Sequence, residues 1–504
     1  MNPSLRHTLT TLRSSFKSKS TTPTAVLDNV LSQFYQSESP PLNLNHFTHS
    51  SPIDLSKLKQ LASESTSRYA ACAPLSSIDG VPISIKANIS FPPYPASASS
   101  KMLEPYIPPF SADVVQALKA GGAILVGQTN MDEFGMGSAT TNSAMGPSIN
   151  PLPHLHPPAS SSPPNLTPGG SSGGSASSVA WRSSFASIGS DTGGSVRLPA
   201  AHTNTTGFKP TYGSISRFGL IPYASSLDTI GLIAPTPSDT KLLFDVLRGQ
   251  SPNDPTSIES SLPPSSPAPL DWSTISVCLP SAYSVEEMPP SVLHIWNETA
   301  ECLASLGSRV DVLGDDVLSS STVRTSLAAY YVIACAEASS NLSKYDGVRY
   351  GSRARDEAVN YDEEYSRTRE EFFGPEVKRR IACGDAVLAR EGSHYLKANI
   401  LRNKLRDSLN TALEQFDFIL IPTQTSPPFN LDDPDVKIDQ NEMMSNDLMT
   451  VGSSLAGLPS ISIPVTSPSG PDFWVGMQLI GRHGDDDRLL QAAESLYLKM
   501  AEGH

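Results

Sequence analysis

The sequence predicts a single large α/β unit, and three observations carry that reading. Short apolar runs with strand character alternate with longer stretches of helical spacing almost to the C-terminus. The 504 residues are 38% hydrophobic, enough for a large core, yet hold no apolar run near the ~18 residues of a membrane span. No self-similarity recurs at the periods of solenoids or propellers, so one unit is expected over an array.

Composition narrows the function classes. The formal net charge of −14 is the wrong sign for a phosphate-binding surface, which needs clustered Lys and Arg. Any RNA handled by this chain is therefore expected to be held mainly by a partner. The five cysteines are scattered and never form a CxxC pair, which points to a reducing compartment without a disulfide framework or zinc site.

Taken in order, the first 27 residues contain Arg6, Arg13, Lys17 and Lys19, many Ser and Thr, and no acid before Asp28. Leu5, Leu9, Leu12 and Phe16 fall at helical spacing, so a helix here is amphipathic with a basic side, the composition of a mitochondrial transit peptide. The expected division is a leader at 1–25 and a catalytic domain at 26–500. Residues 25–35 carry a helical stripe through Val26, Leu27, Val30, Leu31 and Phe34, and 55–71 form a second helix. Val81, Ile83 and Ile85 alternate in a strand that delivers Lys86 at its end. Such a lysine is either a solvated edge charge or, if buried, an amine whose lowered pKa makes it a base.

A helix over 114–120 and a buried strand over 123–126 lead into TNMDEFGMGS at 129–138, a polar loop where α/β folds place ligands. Residues 151–168 are so rich in proline that they read as an exposed loop, and His154 and His156 lack a third metal ligand nearby. Residues 169–197 hold two glycine–serine turns, GGSSGG and DTGGS, around a small and apolar middle at 176–188 that reads as a helix. Residues 207–213 and 225–231 read as turns, and 252–272 as a Pro/Ser-rich surface excursion. Helices are expected over 291–307, 326–342, 377–389 and 394–416, and buried strands over 418–422 and 460–464.

The serines at the turns are candidate nucleophiles, and a serine needs a base and an oxyanion site. GGSSG matches the G-x-S-x-G elbow of α/β hydrolases, which requires a strand immediately before it, whereas a proline-rich loop precedes it here. The alternative pairs both turns with Lys86. On those residues the chain resembles the amidase signature family: GVPISIKAN at 80–88 stands at its GIPxxxKDN motif, and GGSSGG and DTGGS at its two serine motifs. The resemblance implies a central mixed β-sheet covered by helices on both faces. It also implies Lys86 as base, Ser171 as relay and Ser195 as nucleophile. By the same resemblance the amides of Thr192, Gly193, Gly194 and Ser195 are expected to form the oxyanion hole, and Asp191 and Arg197 to hold the loop, unless they are merely an exposed ion pair.

Longer stretches are more specific. TNMDEFGMGS, GFKPTYGSISRFGL at 207–220, YYVIACAEASSNLSKYDGVRYG at 330–351, GPEVKRRI at 374–381 and SNDLMTVGSSLAGLPSISIP at 445–464 resemble the branch of that family serving glutamyl-tRNA(Gln) amidotransferases. That branch implies glutamine as substrate, its α-carboxylate held by Arg380 and its α-ammonium by Asp447, with Tyr330 a further contact. It implies no cofactor in this chain, ATP and Mg²⁺ in a B-type partner subunit that also binds the tRNA, a further candidate partner in a small third subunit, no membrane, and a mitochondrial matrix location. Arg380 lies in the run Lys378-Arg379-Arg380, which otherwise reads as a solvated helix face. A free-standing amidase for other small amides is the alternative. Three departures stand out: Ala87 replaces the usual aspartate after the lysine, residues 202–206 differ from the usual Phe-Cys-Gly run, and 151–168 lengthens the interval from Lys86 to Ser171.

Overall fold

The computed structural model describes residues 8–502 apart from 49–53, 158–161, 260–269, 356–359, 390–391, 434–439 and 466–473. Its framework is one sheet built from β1 (Pro82–Lys86), β2 (Ile124–Thr129), β3 (Ala186–Asp191), β4 (Thr206–Lys209), β5 (Thr229–Ala234), β6 (Ser276–Pro280), β7 (Arg309–Leu313), β8 (Phe418–Pro422), β9 (Ser460–Val465) and β10 (Val475–Ile480). The spatial order is β2-β1-β3-β5-β4-β9-β10-β8-β6-β7. Pairings are parallel at both ends, β2-β1-β3 and β8-β6-β7, and antiparallel between them, so the sheet is mixed.

Every residue of β1, β2, β3, β5 and β8 is buried. A strand buried at successive positions is covered on both faces, which is why these read as continuous apolar runs rather than alternating ones. β7 closes one edge and is largely exposed, with charges at Arg309 and Asp311 that discourage a further strand from pairing. Helix starts follow local chemistry: Thr22 caps Pro23–Glu38 and Thr236 caps Pro237–Leu247, each with proline in the first turn.

The helices at Pro290–Ser305, Ser320–Leu342, Pro375–Leu388 and Ser393–Gln415 lie where the apolar spacing predicts them, the second starting earlier. Three readings need correction. The middle of 169–197 is a helix only over Gly173–Ala180, after which the chain turns into β3. Small residues with no polar face fit either element, and pairing with β1 and β5 decides in favour of the strand. Residues 207–213 contain most of β4, and 225–231 run into β5. The proline-rich 151–168 is partly built in, with a short helix at Leu152–Leu155 and Leu166 bridged to Asn430, while 158–161 fall outside the described residues. The surface excursion read at 252–272 falls largely at 260–269, also outside them.

Within the stretch read as a leader, residues 1–7 are not described, and Leu9–Ser18 is a helix. Thr8 and Thr11 form a reciprocal capping box at its start, and its apolar side, Leu9, Leu12 and Phe16, is buried in the main core. The Thr10 amide and hydroxyl donate to Asp239, and the Phe16 and Tyr69 rings lie 5.2 Å apart. The division at residue 25 falls inside the helix Pro23–Glu38.

Candidate active site

β1 and β3 are parallel neighbours, so their C-terminal ends deliver Lys86 and Asp191 to one edge of the sheet. The helix Gly173–Ala180 packs on both strands and brings the turn before it over that edge. Lys86 is fully buried, so it is not a solvated edge charge. Burial lowers its pKa to about 7, although Asp132, Asp191 and Asp228 pull the other way. Its Nζ lies 2.7 Å from the Ser171 Oγ, 3.0 Å from the Ser190 Oγ and 3.3 Å from the Ser190 carbonyl. The Gly170–Ser171 bond is cis. The Ser172 amide donates to the Ser195 carbonyl at 3.0 Å, joining the two serine turns.

The DTGGS turn is held from three sides. Asp191 and Arg197 are both fully buried and meet at 2.8 and 3.0 Å, so the pair is not a surface one. Burial alone would raise the Asp191 carboxyl, but Arg197 brings it below its usual value. The remaining guanidinium donors reach the Thr450 carbonyl, the Ser453 and Ser454 hydroxyls and the Gln478 side chain, which tie the loop to the helix Val451–Ala456 and to β10. The Thr192 hydroxyl donates to Asp228 at 2.7 Å, and the Thr450 hydroxyl to the Gly193 carbonyl at 2.5 Å. Glycine is required twice: a Cβ on Gly193 would run into the Tyr330 hydroxyl, and one on Gly194, whose φ is +146°, into Thr450.

Opposite charges converge beyond that loop. Arg380 turns inward while Lys378 and Arg379 stay half-exposed, which answers the charge-run question in favour of a buried guanidinium. Its Nε donates to Glu376 at 2.6 Å, its Nη1 to the Tyr223 hydroxyl at 2.5 Å, and it sits over the Tyr223 and Tyr331 rings. Asp447 is buried too, accepting from Ser138 at 3.0 Å and from the Tyr331 hydroxyl at 2.6 Å. Burial raises its carboxyl to about 6 despite the Tyr331 hydrogen bond and the Arg380 charge. Thr450 also donates to the Asp447 carbonyl, so one residue braces both the anion and the DTGGS turn.

The residues singled out for catalysis and substrate binding thus fall in one buried region, whereas His154 is only half-buried and His156 is exposed. Tyr330 packs against Gly193, while its neighbour Tyr331, not singled out, holds Asp447. Also unforeseen are Asn88, Ser138, Ser190, Tyr223, Asp228, Glu376 and Thr450. Most sit in quoted motifs, but a motif does not reveal which of its side chains turn inward. The missing carboxylate at Ala87 leaves Lys86 with three acidic neighbours from other elements. Among the described residues no group of three His, Cys, Asp or Glu side chains could hold a metal ion, and no helix is long and apolar enough to cross a membrane.

Known proteins resemble this chain along most of its length. The family model described as "Amidase" matches residues 48–490. The mitochondrial A subunit of glutamyl-tRNA(Gln) amidotransferase from Emericella nidulans is 38% identical over 463 residues, covering 84% of this chain and 89% of that one. The A subunit of glutamyl-tRNA(Gln) amidotransferase from Akkermansia muciniphila is 40% identical over 442 residues, covering 86% and 90%. The crystal structure of the A subunit of glutamyl-tRNA(Gln) amidotransferase from Thermotoga maritima superposes with a TM-score of 0.67 at 35% identity, covering 82% of each chain. A bacterial aryl acylamidase at 21% identity has a TM-score of 0.80, a likeness of fold alone.

Proposed function

This chain belongs to the amidase family, and from that premise we propose that it hydrolyses glutamine with Ser195 as nucleophile, Ser171 as relay and Lys86 as base. It acts as the amidase subunit of a glutamyl-tRNA(Gln) amidotransferase, supplying ammonia for the conversion of Glu-tRNA(Gln) to Gln-tRNA(Gln).

Neutral Lys86 accepts the Ser171 proton while Ser171 accepts that of Ser195, and the Ser195 Oγ attacks the side-chain amide carbon. The developing oxyanion is met by the amides of Thr192, Gly193, Gly194 and Ser195, each such donor being worth about 3–4 kcal/mol of transition-state stabilisation. The proton returns from Lys86 through Ser171 to the leaving nitrogen, and ammonia departs. Water then attacks the acyl-enzyme and releases glutamate, with the same relay taking and returning its proton.

The observation that carries the substrate assignment is that Arg380 and Asp447 are both buried and share Tyr331 between them. A zwitterionic amino acid needs one fixed cation and one fixed anion, and a guanidinium suits a carboxylate bidentately. Arg380 takes the α-carboxylate and Asp447 the α-ammonium, which leaves the side-chain amide to face the loop of Ser195. Tyr330 and Tyr223 wall the site.

Within such a complex, the chain works with at least one partner. ATP, Mg²⁺ and tRNA are assigned to a B-type subunit, with a further candidate partner in a small third subunit, and none of them to this acidic chain. A mitochondrial matrix location is supported by the mitochondrial relative. Because Leu9, Leu12 and Phe16 belong to the core, import processing that spares the fold cuts ahead of Thr8.

The test is glutamine hydrolysis by the chain co-expressed with its partner, with and without charged tRNA. Ser195→Ala is expected to abolish ammonia release. Wild-type release by that variant, or strong activity of the lone chain on amides other than glutamine, overturns the reading.

A further inference from the structure

The base has more neighbours than its relay uses. Around the Lys86 Nζ stand the Ser171 Oγ, the Ser190 Oγ and the Ser190 carbonyl, and Asn88 donates its Nδ2 to the same Ser190 Oγ at 3.0 Å. All of these residues are buried. β1 and β3 pair in parallel with Ile85 opposite Ile188, which carries Lys86 and Ser190 to the same end of the sheet.

We propose that Ser190 and Asn88 are positioning residues that aim the lone pair of neutral Lys86 at Ser171, a reading that rests on Lys86 being the catalytic base. A neutral amine has two N–H bonds and one lone pair. The Ser190 carbonyl can only accept, so it takes one N–H. The Ser190 hydroxyl oxygen has two lone pairs; Asn88 occupies one, and the other takes the second N–H. Both donors are then engaged by Ser190, and what remains of the amine, its lone pair, faces the Ser171 hydroxyl. Without the Ser190 Oγ the amine can turn about its last bond and present an N–H to Ser171, and the serine proton then meets a donor. In the protonated state the same three oxygens each take one N–H, so the site accommodates both halves of the proton cycle without moving.

The charges facing Lys86 are Asp132 from the loop after β2, Asp191 at the end of β3 and Asp228 before β5, and neither positioning residue adds another. Two substitutions therefore move the acidic limb of the kcat profile in opposite directions. Ser190→Ala removes an acceptor that the ammonium needs, so the limb shifts to lower pH. The plateau kcat falls roughly ten- to hundredfold, part of what a general base supplies, while the KM for glutamine stays near wild type. Asn88→Asp sets a carboxylate close to the ammonium, so the limb shifts to higher pH. Ser190→Thr, which keeps the hydroxyl, restores most of the rate.

The measurement is kcat against pH for these variants in the partner complex, with Lys86→Ala and Ser195→Ala alongside. Opposite shifts at constant KM establish the role. If Lys86→Ala is inactive while Ser190→Ala and Asn88→Asp keep the wild-type plateau and limb, the positioning role is refuted and the base assignment stands. If Lys86→Ala keeps the wild-type rate, both fall.

Discussion

Tyr331→Phe tests, through one hydroxyl, the proposed assignment of Asp447 to the glutamine α-ammonium. The phenol donates at 2.6 Å to a buried carboxylate, and nothing else in the side chain changes shape. A hydrogen bond to a charged group contributes about 1.5–3 kcal/mol, so removing it weakens the ionised form of Asp447 by that much. Two consequences follow. The carboxylate holds its proton to higher pH, so protonation competes with the α-ammonium and the KM for glutamine rises roughly five- to fiftyfold at pH 6 but little at pH 8, with kcat within about threefold. The Asp447 carboxyl, already raised to about 6 by burial, rises further by about one to two pH units at 1.36 kcal/mol per unit. In the proposed assignment its ionised form binds substrate, so the acidic limb of kcat/KM moves to higher pH, activity being lost as pH falls through the new value. The kcat limb, set by Lys86 in the substrate complex, stays where it was. The assay is steady-state ammonia release by the partner complex from pH 5 to 9. An unchanged KM and limb would falsify the assignment of Asp447 to the ammonium, as would a tenfold loss of kcat at constant KM.

Arg197→Ala leaves Asp191 buried without its counter-charge, and about 3–5 kcal/mol of stability is expected to go with it, read as a lower urea midpoint. In the wild type the lowered Asp191 carboxyl contributes stability above the unfolded value of about 3.9, lost as pH falls below it. Gly193→Ala drives a methyl into the Tyr330 hydroxyl, and displacement of one oxyanion donor lowers kcat by about 10²–10³ with little change in glutamine KM. Leu12→Ala costs about 2–5 kcal/mol in thermal or urea unfolding, because the side chain is fully packed. N-terminal sequencing of the mature protein is expected to start ahead of Thr8, and a functional chain beginning at residue 26 would contradict the packing of Leu9, Leu12 and Phe16.

Much of the framework was legible because apolar spacing reports burial directly. The helices near 291–307 and 394–416 and the strands at 418–422 and 460–464 announce themselves by period and length. β4 and β5 did not, since glycine-bearing segments read as turns until antiparallel neighbours claim their backbone donors and acceptors. β10 lies in a stretch of Gly, Met and Gln whose strand character comes from pairing with β8 and β9.

By itself the sequence offered the residue types of the proposed chemistry, one lysine after an apolar strand and two serines in glycine turns, and its family resemblance added an arginine and an aspartate for a zwitterion. It could not determine protonation, since the pKa of Lys86 depends on complete removal from water by elements far apart in the chain. Nor could it say which neighbour does what. Adjacency in the chain misleads because consecutive helical residues point about 100° apart, so Tyr330 reaches Gly193 while Tyr331 reaches Asp447. The N-terminal helix marks the same limit: a basic amphipathic pattern suits an import signal and a core helix equally, and only the apolar face of the folded domain distinguishes them.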